Sequence, residues 1–275
     1  FIIPLSRPFG CSFFVRDCLK HAVEGIPTLE AEQNESERTV GYDAPEPLPV
    51  RRELEEQVML KFCFVFSAVH PQSGEEMLLK YPVLVVLHQK HQLIEMRFDV
   101  LKQYFQTQQG FYSKLVQKIR AYLKEKLAVE LVPLEMNFMK ETANDEVKLI
   151  AEYMNMASGG RAVLEVGDNE EWVLPFIGEL KSLIQEYHAD LEKVPALEDA
   201  LNQFVYEKSE MSEFPWIELL WSNEIKTRSV RAKFTFNYGN NGFGLIQHYY
   251  NAVLIGRERM DRVIEHISAN RPRDC

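Results

Sequence analysis

Residues 58–70, VMLKFCFVFSAVH, place apolar side chains on both alternations of a strand: Phe62, Phe64 and Phe66 on one face, Lys61, Cys63 and Val65 on the other. Both faces are largely apolar, so the pattern predicts a strand lying centrally in a sheet. PQSGEE reads as a turn, and YPVLVVLH and QLIEMRFDV on either side of HQKHQ read as a hairpin. Asp99 is placed to cap a short helix over VLKQYFQ. Gly110 separates it from FYSKLVQKIRAYLKEKLAVE, where Leu115, Val116, Ile119, Tyr122 and Leu123 form one apolar helical stripe.

The pattern then starts again. EVKLIAEYMNM reads as a helix ended by SGG, and RAVLEV as a short strand. Two helices follow over 176–187 and 196–208, split by Pro195. WIELLW, VRAKFTFNY and FGLIQHYY read as strands, and 257–267 as a last helix. The expected fold class is α+β, mainly antiparallel strands and hairpins with interspersed helices. KFCFVF at Lys61 echoes KFTFNY at Lys233, which points to two loosely similar halves, 58–139 and 140–275, behind an N-terminal segment 1–57. Within that segment, residues 26–57 are acidic and proline-containing and read as a tether.

Composition narrows the function classes. The chain has 275 residues, 46% hydrophobic, enough for a sizeable core. No apolar run reaches the roughly 18 residues of a membrane-spanning helix, and FIIPLSRPFGCSFFVRD does not read as a secretory signal. Cys11, Cys18, Cys63 and Cys275 lack paired spacing, which suits reduced thiols in the cytoplasm or nucleus. The net charge of −10 divides unevenly: +1 over 1–25, −6 over 26–57, +3 over 58–139, −12 over 140–223 and +4 over 224–275. An acidic total disfavours a protein that coats nucleic acid with its whole surface, yet leaves room for a local basic face.

Catalytic patterns are sparse. Asp168 followed by Glu179-x-Lys181 mimics the acid and E-x-K of a metal-dependent nuclease, but Phe176, Ile177, Leu180, Leu183, Ile184 and Tyr187 have helical spacing. On a helix, residues two apart point away from each other. A second E-x-K, Glu224 and Lys226 with Glu218 upstream, sits nearer strand patterns, although SNEIKTRS looks like a link between them. It defines the enzymatic alternative, a nuclease using Glu218, Glu224 and Lys226. His70, His88 and His91 are the one histidine grouping; a strand pair running from His70 back to His88 puts those two at opposite ends, leaving too few ligands for a metal. The reading includes no metal and no cofactor, and it leans against enzymatic activity with the nuclease kept as the alternative.

Two basic surfaces stand out. A hairpin turning at Asn240-Asn241 would pair Phe236 with Leu245, Phe234 with Gln247 and Ala232 with Tyr249 on a core face. Its other face would pair Arg231 with Tyr250, Lys233 with His248 and Thr235 with Ile246, with Lys226, Arg228, Arg257, Arg259 and Arg262 nearby. Cations among aromatics suit phosphate contacts and base stacking. The helix 111–130 adds Lys114, Lys118, Arg120 and Lys124 opposite its apolar stripe. The expectation is a non-enzymatic binding protein, a subunit of a nucleic-acid-associated complex with protein partners; a pure protein–protein scaffold is the third reading.

Overall fold

The structure, a computed structural model of the chain, describes residues 8–14, 26, 28, 39–42, 47–54, 56–101, 110–128, 131–144, 146–156, 159–165, 176–209, 211–223, 228–240, 242–249 and 256–272. In chain order the strands are β1 (Pro8–Phe14), β2 (Thr39–Gly41), β3 (Val50–Glu53), β4 (Gln57–Val69), β5 (Glu76–His88) and β6 (Leu93–Asp99). Helix α1 (Phe111–Leu127) is followed by β7 (Val132–Pro133), β8 (Val147–Asn155) and β9 (Arg161–Glu165). Helices α2 (Phe176–Glu186), α3 (His188–Leu191) and α4 (Pro195–Ser209) come next, then β10 (Glu213–Trp221), β11 (Val230–Thr235), β12 (Leu245–Tyr249) and α5 (Gly256–Asn270). The class is α+β.

The strands join in one sheet ordered β2-β4-β5-β6-β1-β12-β11-β10-β8-β9, with β3 on the edge of β4 and β7 on that of β1. Every pairing is antiparallel except β2 with β4. The N-terminal strand therefore lies at the centre of the sheet, and β2 and β3 come from the stretch whose composition reads as a tether.

The chain order builds two equivalent units around β1. Meander β4-β5-β6 is followed by α1, and meander β10-β11-β12 by α5. Both β6 and β12 are antiparallel to β1, so they run the same way. Half a turn about the β1 axis exchanges the units, and such a rotation must carry the helices to opposite faces of the sheet. Core packing agrees. Leu245 belongs to the core under α1, while Ile246, the next residue, belongs to the core under α5; Ile94 and Leu93 divide the same way. The Lys61 and Lys233 echo falls on β4 and β11, which are not equivalent strands.

Local sequence explains most elements. Phe62, Phe64 and Phe66 are buried beneath α1, against Leu115, Val116 and Ile119 of its stripe. Gly110 caps α1 at φ 72°, where a side chain would be strained. Residues 146–156 correct the helical expectation: Val147 and Leu149 alternate along β8, and a bulge opposite Glu218 and Leu219 leaves Ile150 out of register, so that Ala151 pairs with Glu218 and Glu152 with Ile217. That extra residue brings apolar positions into helix-like spacing. The short helix expected after Asp99 lies outside the described residues, and Asp99 ends β6.

Helices α2, α3 and α4 link β9 to β10 and contact one another. None of their described residues belongs to either core, and Val205 alone among them is buried. They form an arm attached to the sheet.

Candidate functional site

Each unit's own helix leaves one face of its meander bare, and each bare face carries a polar cluster. The first cluster sits where Glu95 and Arg97 alternate with Ile94, Met96 and Phe98 along β6. The apolar three face α1; Glu95 and Arg97 face the other way, beside His88 of β5. Helix α5 of the second unit closes over them. Arg97 donates through Nε to Glu95 Oε2 at 2.9 Å and through Nη2 to Asp261 Oδ1 at 2.7 Å. His88 Nε2 lies 3.1 Å from Glu95 Oε2, and Gln57 Nε2 lies 3.4 Å from both His88 Nδ1 and Asp261 Oδ1. Further along, His91 Nδ1 is 3.0 Å from Ser268 Oγ.

Burial would raise the Glu95 carboxyl, but Arg97 and the hydrogen bonds from His88 and Arg97 hold it down to about 2. Burial lowers His248, on the same face of β12, to about 4; Glu95 pulls it up while Arg97 and Arg259 push it down. Its ring nitrogens have no hydrogen-bond partner among the described residues.

A cleft of about 220 Å³ opens onto this junction. Its lining mixes the cations Lys90 and Arg257 with Glu56, Asp261 and Glu265, beside Gln57, His88 and His91. Arg257 is drawn to Asp261, with Nε 3.3 Å from Oδ2. Inside, both ring nitrogens of His88 are engaged, so neither is placed to move a substrate proton. The arrangement fits a polar lock between the units. Among the described residues no group of three or more histidine, cysteine or carboxylate side chains could hold a metal ion. His70, in the turn after β4, lies at the far end of the β4–β5 pair from His88, because Val69 pairs with Glu76 and Gln57 with His88.

The second cluster is open. It lies on the face of β12, β11, β10, β8 and β9 opposite α5. Glu218, at the centre of β10, is 5% exposed. Arg231 donates to its Oε2 from Nε at 2.8 Å and also from Nη2, and the Tyr249 hydroxyl donates to Oε1 at 3.0 Å. Lys233 Nζ stands 4.0 Å from Oε1. Both cations lie against rings: Arg231 is 4.9 Å from the Tyr249 centroid and Lys233 3.3 Å from that of Trp216. Trp216 stacks in turn on Tyr153 of β8, with centroids 6.0 Å apart and planes 17° apart. Partial burial lowers the Lys233 ammonium, against the pull of Glu218 and Glu165. Arg231 remains exposed, and Lys233, Trp216, Tyr153 and Tyr249 are half-buried.

The structure thus unites Arg231 and Lys233 and separates others expected beside them. The β11–β12 register is one residue away from the expected one: Thr235 pairs with Leu245, Lys233 with Gln247 and Arg231 with Tyr249. The connection is a long loop, with Asn237, Gly239, Asn240 and Gly242 at positive φ, in place of a tight Asn-Asn turn. A one-residue slip turns β12 over, so His248 is buried on the far face and Tyr249 takes the place expected for Tyr250. Arg257, Arg259 and Arg262 lie on α5, also across the sheet; Arg259 is fully buried and donates to the Tyr249 carbonyl. Arg228 is exposed between β10 and β11. Lys226, Glu224, Tyr250 and Asp168 lie outside the described residues.

On α1, Lys114 and Lys124 are exposed, but Lys118 donates to the Tyr42 carbonyl and Arg120 to the Leu131 carbonyl at 3.0 Å. Positions 118 and 120 are about 200° apart around a helix, so they flank the apolar stripe on opposite sides and the four cations do not make one surface. Residues 176–186 are helical, which puts Glu179 and Lys181 on α2. No described helix is long and apolar enough to cross a membrane.

Sequence reasoning missed Glu95, Arg97 and Asp261, and did not connect Trp216 and Tyr153 with the basic hairpin. One signal was available: two charges at alternate positions in LIEMRFD, a strand otherwise apolar enough to be central. Comparison of the chain with protein-family models, curated proteins and solved structures finds no match, so the functional reading rests on this geometry.

Proposed function

We propose that the protein is a non-enzymatic binding protein, a subunit of a nucleic-acid-associated complex, and that the open sheet face engages single-stranded nucleic acid. The observation that carries the reading is the pairing of cations with aromatic rings, Lys233 on Trp216 and Arg231 on Tyr249, around Glu218 on the face opposite α5, where Arg231 is exposed. Aromatic rings on a flat sheet stack exposed bases, and neighbouring cations meet the phosphates. Glu218 opposes a phosphate through its charge, yet it holds the Arg231 guanidinium against Tyr249 while Arg231 stays exposed. A nuclease is less well supported, because arginine and tyrosine already occupy both oxygens of the one described carboxylate of that set.

The test is fluorescence anisotropy with a labelled oligothymidylate. Affinity is expected to fall with salt, with a log–log slope of about 0.7 per neutralised single-strand phosphate. Arg231→Glu with Lys233→Glu should abolish binding; it also lowers the thermal midpoint, because Glu218 loses its cations, so binding is compared at a temperature where both proteins are folded. Absence of binding at low salt removes the reading and leaves the protein–protein scaffold.

A further inference from the structure

The arm of α2, α3 and α4 buries little among its described residues, where Leu180, Ile184, Leu191 and Leu201 are half-buried. Val205 is its one buried residue among those described. Leu183 and Tyr187 of the first limb, 51% and 53% exposed, are one helical turn apart. Leu197 and Phe204 of the second, 48% and 42% exposed, are two turns apart. Side chains at these spacings share a helix face. Two helices cannot enclose a core between them, and a further helix laid along such a pair would complete one.

Charge decides what kind of helix fits. Residues 176–209 hold seven carboxylates, Glu179, Glu186, Asp190, Glu192, Glu198, Asp199 and Glu207, against Lys181, Lys193 and Lys208, a net of −4. Lys193 is spent on Asp190 at 2.6 Å, and Lys208 lies over the Phe204 ring at 5.5 Å. A second copy of the arm would set −4 against −4. We infer that the arm is a docking site for a protein partner that presents a basic amphipathic helix, its apolar stripe seated on Leu183, Tyr187, Leu197 and Phe204 and its lysines or arginines against the flanking carboxylates. This inference uses neither Arg231 nor Lys233, and its outcome is independent of the oligothymidylate measurement.

The experiment uses the full chain and a synthetic amphipathic helix of leucine and lysine, with a leucine–glutamate helix as control, followed by calorimetry. Wild type should bind the lysine helix and ignore the glutamate helix. Leu183→Glu with Phe204→Glu should weaken binding by about tenfold or more, since two exposed anchors are lost. Leu183→Ser with Phe204→Ser should also weaken it, which keeps the test valid if the charged pair disturbs the arm. Glu186→Gln with Asp199→Asn should weaken binding at low salt and make it less salt-sensitive. Equal binding by wild type and both Leu183/Phe204 variants, or no binding by wild type, overturns the inference. So does a wild-type dimer in sedimentation that Phe204→Glu dissociates, because that result assigns the face to a second copy.

Discussion

Asp261, on the last helix of the chain, accepts a hydrogen bond at 2.7 Å from Arg97, on a strand of the opposite unit. Arg97 also binds Glu95, so one guanidinium ties α5 to a carboxylate that is fully buried. The polar cluster on the first unit's bare face is sealed in this way, while that of the second unit keeps Arg231 exposed.

Removing one side of the lock should cost more than removing both. Asp261→Ala should lower stability by about 2 kcal/mol, the worth of a hydrogen bond to a charged group. Arg97→Met should cost about 3–5 kcal/mol, because it strands the Glu95 charge in the core. Arg97→Met combined with Glu95→Met should be less destabilised than Arg97→Met alone. Urea titration of the four proteins at neutral pH measures the differences.

His248 gives a pH dependence of known sign. An unfolded histidine titrates near 6.5, and burial lowers His248 to about 4 in the folded protein. The unfolded chain therefore takes up the proton first, and the folded state loses stability as pH falls from 6.5 towards 4, by roughly 3 kcal/mol in all. Asp99 works in the opposite direction, since burial raises it to about 6, so the folded state takes up that proton first. The two act against each other in wild type, and variants separate them. His248→Phe, which also removes two unpartnered ring nitrogens, should gain on wild type by about 1.4 kcal/mol per pH unit between 6.5 and 4. Denaturant titrations at pH 7 and pH 5 check this; an unchanged difference between the two proteins would contradict it.

Glu218→Gln distinguishes binding from catalysis by the sign of its effect. It removes the negative charge at the centre of the open face while keeping the side chain's shape. On the binding reading it frees Arg231 and Lys233 and should tighten the oligothymidylate complex by roughly fivefold, about 1 kcal/mol of relieved repulsion. On a nuclease reading it would instead abolish metal-dependent cleavage. The expected result is tighter binding, with no cleavage of DNA or RNA by wild type in Mg²⁺ or Mn²⁺.

How much was legible in the residues varies by element. The strand over 58–70 could be read because its alternation is unbroken, and β4 has Phe62, Phe64 and Phe66 buried in register. The stripe of α1 and the helical spacing from Phe176 were equally clear, and the second of these sets Glu179 and Lys181 on a helix. Residues 147–155 misled because a bulge adds one residue to the alternation, and a bulge exists only against a partner strand.

The chain by itself determined the fold class, most elements and the paired cations Arg231 and Lys233, because periodicity and charge are local properties that a window of residues carries in full. Tertiary structure alone decided the central place of β1, the opposite faces taken by α1 and α5, and the register of β11 with β12. Each depends on contacts between residues far apart in the chain, and a register shifted by one residue was enough to send His248 into the core and bring Tyr249 to the open face.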